Sequence, residues 1–136
     1  MNNEEFSRKL NEIKERALAK STPEEETQYT ESLFESIKHI DENGDEFWYA
    51  RELSKVLEYR DFRNFELTIY KAMDACENSS NIVSDHFGEV TEMVPIGSGA
   101  KRGFKSYKLS RYACYLIVMN GDPSKKIIAL GQTYFA

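Results

Sequence analysis

Apolar positions in the first quarter of the chain recur at helical spacing. Phe6, Leu10, Ile13 and Ala17 step by four, three and four through a charged stretch, which predicts a lightly hydrophobic N-terminal helix with one apolar stripe. Thr22-Pro23-Glu24-Glu25 is a second helix start: Thr22 caps, Pro23 suits the first turn and Glu25 completes a capping box. Tyr29, Leu33, Ile37 and Ile40 mark the buried stripe of that helix. Asp41-Glu42-Asn43-Gly44-Asp45 interrupts it, and Phe47-Trp48-Tyr49 reads as a short buried strand. A helix follows from about Ala50, with Leu53, Val56 and Leu57 inward. After the turn Glu58-Tyr59-Arg60, Asp61 caps a longer helix whose apolar face is Phe62, Phe65, Ile69, Ala72, Met73 and Cys76.

Asn78-Ser79-Ser80-Asn81 ends that helix, and Ser84 caps a brief one near His86 and Phe87. Met93 to Ile96 and Phe104 to Leu109 read as two strands flanking a flexible basic tip, Gly97 to Gly103. Ser110 opens a helix that closes at Asn120-Gly121, where glycine is expected to supply a left-handed cap. Asp122-Pro123 is expected to start the last helix, with Ile127, Leu130 and Tyr134 as its stripe. That helix meets no stop signal before Ala136 and reads as cut within its length. The pattern as a whole predicts a helix-dominated α+β domain. Its small antiparallel sheet combines the Trp48 strand with the Met93–Leu109 hairpin.

At 136 residues the chain fits one core, and eight Phe, eight Tyr and Trp48 supply ample packing material. The apolar run Tyr115 to Met119 is far too short to span a bilayer, and the N-terminus lacks the basic and apolar regions of a signal peptide. Cys76 and Cys114 fall on apolar helix faces, so free thiols in a reducing cytoplasm are expected.

Charge changes the picture more. The net charge of −5 is unevenly spread. Residues 1–50 carry six Lys or Arg against thirteen Asp or Glu, whereas residues 93–136 carry seven against Asp122 alone. A local basic patch, rather than the average, decides whether a polyanion is attracted. Lys101, Arg102, Lys105 and Lys108 lie within eight positions of one another, beside glycines that let a backbone approach closely and interleaved with Phe104 and Tyr107. Such a tip suits a phosphate backbone or a minor groove, and its aromatics can stack on bases unless they face the core. Two helices joined by a short turn, then a basic hairpin, also follow the order of a helix-turn-helix with a wing. The second helix offers Arg63, Asn64 and Lys71, with Arg60 just before it. Glu66 and Asp74 share its surface, which leaves a plain solvated face as the competing reading.

No catalytic or metal site is expected. Gly97 to Arg102 lacks the glycine spacing and the following helix of a phosphate loop. Asp41, Asn43 and Asp45 have calcium-loop offsets, but Glu46 stands where the loop needs glycine. His39 and His86 have no zinc spacing with either cysteine, and no nucleophile context surrounds the serines.

From about Phe34 onward the chain resembles the N-terminal, Bro-N-like part of the bacterial DNA-damage-inducible protein D family. The resemblance rests on FESIKHIDENGDEFWYARELSKVLEY (Phe34–Tyr59), FRNFE (Phe62–Glu66), KAMDAC (Lys71–Cys76), VSDHF (Val83–Phe87), IGSGAKR (Ile96–Arg102) and YKLSRYACYLIVMNGDPSKKIIALGQTYFA (Tyr107–Ala136). It implies a Bro-N-like domain over residues 22–136 of a longer bacterial protein, with a helical extension at 1–21 that the family does not account for. It also implies a cytoplasmic role in the SOS response to DNA damage. The expected function is non-catalytic binding of single- or double-stranded DNA. The alternative is an antirepressor-like module acting on a repressor or recombination protein, or on a second copy as a homodimer. No cofactor is implied.

Overall fold

The computed structural model describes residues 3–18 and 22–136, with backbone alone at 15–18. Helix α1 (Asn3–Leu18) buries Leu10 and rests Phe6 against the core; Ala17 of the expected stripe lies outside the described side chains. Thr22 caps α2 (Pro23–Ser36) by accepting the Glu25 N–H at 3.2 Å. The helix ends at Ser36, earlier than its apolar stripe predicts, and Ile40 is left exposed. The Asp41 carboxylate accepts the backbone N–H groups of Asn43 and Asp45, and Gly44 takes a positive φ of 83°. That closed loop turns the chain back as a short hairpin, β1 (His39–Ile40) with β2 (Glu46–Tyr49), so Ile40 pairs with Glu46 instead of continuing a helix.

Helices α3 (Ala50–Val56) and α4 (Phe62–Asn78) follow, then the one-turn α5 (Val83–His86). Two long strands come next, β3 (Phe87–Gly97) and β4 (Ala100–Leu109). All strands are antiparallel in the order β1-β2-β4-β3, with the β2 join made by Trp48 opposite Leu109 and Tyr49 opposite Lys108. This is the expected α+β architecture, with β1 added and both hairpin strands longer than the sequence indicates.

Helix α6 (Arg111–Met119) is capped by Ser110, which accepts the Ala113 N–H at 3.0 Å. Gly121 does not provide the expected left-handed cap: Asn120 ends α6 at φ −96°, and Gly121 is not among the positive-φ glycines. Its role is a close approach, because a Cβ there would stand 3.1 Å from Ile128 Cγ2. Nor does Asp122-Pro123 start α7, which spans Lys126–Phe135. The Asp122 carboxylate instead accepts both the backbone N–H and the hydroxyl of Ser124, closing a turn that competes with capping.

Trp48, Phe34, Phe65, Leu53, Leu57 and Ile69 are fully buried at the centre of the core. The Trp48 indole N–H donates to the Phe34 carbonyl at 3.0 Å, which ties β2 to the end of α2. Phe135 of α7 meets Trp48 edge-on at 5.2 Å, and Arg111 of α6 grips both carboxylate oxygens of Glu46 at 2.6 and 3.2 Å. These links fix β2, and through it the base of the long hairpin.

Candidate nucleic-acid interface

The β3–β4 hairpin forms an arm because β2 pairs with β4 only at its last two residues, leaving the rest two-stranded. Its tip is tighter than the sequence suggests. Gly97 pairs with Ala100, so only Ser98 and Gly99 form the loop, at φ 40° and 79°. Two successive left-handed residues are the geometry that matches strand twist in a hairpin. Lys101 to Gly103 therefore belong to β4 rather than to a flexible tip. Gly103 is required by close packing, since a Cβ there would lie 2.7 Å from Thr91 Cγ2.

Strand periodicity sorts the four cations of β4. Lys101 and Lys105, opposite Pro95 and Thr91, lie on one face; Arg102 and Lys108, opposite Val94 and Gly88, lie on the other. All four are exposed. Each has an aromatic neighbour nearby except Lys101: Lys105 lies 5.5 Å from the Tyr107 ring and 6.0 Å from Tyr70, Arg102 5.4 Å from Phe104, and Lys108 4.5 Å from Phe47. The Tyr107 hydroxyl pushes the pKa of the Lys105 ammonium up. Tyr107 itself is buried and serves the core, so it is not a stacking platform for a base. Phe104 is half-buried between two guanidinium groups.

The second of those guanidinium groups belongs to Arg51, which the sequence reading does not single out. Arg51 of α3 lies 4.0 Å from the Phe62 ring and 5.3 Å from Phe104, and donates to the Lys105 carbonyl at 3.0 Å. One side chain thus joins α3, the start of α4 and the arm. Beside it a cleft of about 310 Å³ opens between α1 and the arm, lined in part by Phe6, His39, Glu92 and Lys101. Burial pushes the Glu92 carboxyl pKa up, while the Ser106 hydroxyl and Arg51 pull it the other way. Desolvation likewise lowers the pKa of Arg51, with Glu92 and Glu66 opposing.

On α4 the exposed stripe is Arg63, Leu67, Tyr70 and Asp74, at helical spacing. Asn64 and Lys71 sit on one flank and Arg60 in the turn before the helix, all exposed. Asn64 is engaged locally: its backbone N–H and side-chain amide both donate to the Asp61 carboxylate, at 2.9 and 3.3 Å. The helix therefore brings Tyr70 to the arm, through the Lys105–Tyr70 approach, with Arg63 farther along the same exposed stripe and Lys71 to the side.

The remaining chemical groups are structurally engaged. His39 lies 2.6 Å from the Glu52 carboxylate and stacks on Phe47, while His86 shares a 2.7 Å hydrogen bond with Ser110. Cys76 and Cys114 are buried free thiols whose pKa values burial raises. No cluster of metal-ligating side chains occurs among the described residues, and none of their helices is long and apolar enough to cross a membrane.

A model of the BRO family N-terminal domain matches residues 36–136, most of the chain from β1 to α7. The chain belongs to the BRO family. This Bro-N domain is also 56% identical, over 103 residues, to DNA damage-inducible protein D of Escherichia coli (strain K12). That match covers 76% of this chain but 38% of the relative, so the chain spans well under half of that protein's length. No solved structure matches it. The arm, Arg51 and α4 all fall inside the Bro-N match, whereas α1 and nearly all of α2 precede it.

Proposed function

We propose that this Bro-N domain is a non-catalytic DNA-binding module of a bacterial cytoplasmic protein that serves the SOS response to DNA damage. The observation that carries this reading is the arm: β4 holds Lys101, Arg102, Lys105 and Lys108 with no acidic residue, on a two-stranded hairpin that extends past the sheet. Cations on both faces suit a ribbon lying within a groove, with phosphates on either side. Arg63 and Tyr70 extend the same surface onto α4, and Arg51 holds the two parts in register. The name of the 56% identical relative ties the reading to DNA damage.

A protein-interaction role, on a repressor or recombination protein, is the second reading. The exposed Leu67, on the same stripe as Tyr70, favours it. Reversing Lys101, Arg102 and Lys105 to Glu and titrating single- and double-stranded DNA tests the choice. DNA binding predicts at least a tenfold loss of affinity in a variant that melts as the parent does; unchanged affinity refutes the role of the arm.

A further inference from the structure

The arm carries apolar side chains that its fold does not use. Met93 and Ile96 are 61% and 57% exposed, with the half-buried Pro95 between them in the strand. Ile96 occupies a special place in the register. Pro95 pairs with Lys101 and Gly97 with Ala100, so Ile96 is an extra residue with no partner on β4. A bulge of this kind bends the strand and re-aims a side chain. Here it directs an isoleucine outward at the end of the ribbon.

The rest of the tip is thin. Gly97, Ser98, Gly99 and Ala100 present no side chain larger than a hydroxymethyl group, and at both Gly97 and Gly99 the space around a notional Cβ is empty. Cations flank the apolar point on both faces, with Lys101 opposite Pro95 and Arg102 opposite Val94. A slender two-stranded ribbon, an apolar point at its end and positive charges just behind it suit a ligand with an apolar interior between two anionic rails. Duplex DNA is that ligand: base pairs stack inside and phosphates line the groove edges. An apolar pocket on a protein would account for Ile96 but not for cations on both faces.

Resting on the DNA-binding reading above, we infer that the arm enters the minor groove and inserts Ile96 between stacked base pairs, with Lys101 and Arg102 on the flanking phosphates, so that the duplex is kinked. Met93 lines the widened groove behind the wedge. Side chains used in this way partly unstack a step and bend the duplex by about 20–90°. Flexible pyrimidine–purine steps, nicks and mismatches are then preferred, because the deformation costs less there.

The test uses the whole chain and a duplex with dyes at its ends and 2-aminopurine beside a central TA step. Binding is expected to raise both energy transfer between the ends and 2-aminopurine fluorescence. Because Ile96 is exposed, Ile96→Ser should melt as the parent does. It is expected to keep affinity within about fivefold yet lose most of both signals, along with the preference for a nicked duplex. Parent protein that binds without bending or unstacking overturns the wedge and leaves the DNA-binding reading intact, as does Ile96→Ser that bends like the parent. If the parent binds no DNA at all, both fail. Loss of binding in the triple charge reversal, together with a silent Ile96→Ser, separates the two claims.

Discussion

Replacing Trp48 with phenylalanine removes the indole N–H and part of the ring from a fully buried site. The lost hydrogen bond matters because of what it satisfies. The Phe34 carbonyl lies in the last turn of α2, and the Lys38 N–H that a longer helix would supply goes to Glu35 instead. Without the indole, a buried acceptor is left unpaired, at a cost of about 1–3 kcal/mol. The missing part of the ring opens roughly 40 Å³, worth about 1 kcal/mol at ~24 cal/mol per Å³. Edge contact with Phe135 is weakened but not abolished. The expected loss is therefore about 2–4 kcal/mol, which for a chain of this size lowers Tm by roughly 8–15 °C. Trp48 is the single tryptophan, so unfolding must be followed by far-ultraviolet circular dichroism rather than by fluorescence. A loss below about 1 kcal/mol would refute the reasoning, since the carbonyl would then have found another donor and the core would have closed over the gap.

Three further outcomes are expected. If Lys101, Arg102, Lys105 and Arg63 each neutralise a phosphate, log K against log salt should have a slope of about −3.6, and Lys105→Gln should reduce its magnitude by about 0.9; a flat salt series contradicts this. Burial raises the Glu92 carboxyl pKa, so the folded state holds that proton more tightly than the unfolded chain. Its favourable contribution is present below the unfolded pKa and is lost as pH rises through the folded one. Urea midpoints should therefore show Glu92→Gln gaining on the parent from acid toward neutral pH, and parallel curves would count against it. Finally, Gly131→Ala places a Cβ 3.1 Å from Val118 Cγ1 and 3.2 Å from Phe34 Cζ. That crowding costs about 1–3 kcal/mol and exceeds the gain of about 1 kcal/mol in helix propensity, so Tm should fall by a few degrees; a rise would mean the neighbours yield.

Periodicity made the helices and the sheet legible, because burying Phe65, Ile69, Ala72 and Cys76 together requires a helix whatever surrounds it. Caps were less readable. Thr22, Asp61 and Ser110 behave as their types suggest, whereas Asp122 turns its carboxylate onto Ser124, an outcome decided by which neighbour offers two donors. The cations of the arm were legible as a cluster, but not their division between two faces, which depends on register. Tyr107 and Phe104 look alike in sequence, yet Tyr107 is buried whereas Phe104 is half-buried between Arg51 and Arg102, a difference set by their places on β4. Arg51 carries no local signal, because its partner Lys105 is 54 positions away and its role exists only once α3, α4 and the arm have met.

The outer side of β3 has a consequence for how the protein behaves in concentrated solution. An eleven-residue strand at the margin of a sheet offers a row of free backbone groups, a template on which another copy can extend the sheet. Three features interrupt that template: Pro95 has no N–H to offer, the unpaired Ile96 breaks the hydrogen-bond rhythm, and Glu89 sets an exposed negative charge along it. The same bulge that aims a side chain outward therefore also blunts edge-to-edge association. A long uncovered ribbon can then remain soluble, and a variant that restores regular pairing at 95–97 is the one in which aggregation should first be seen.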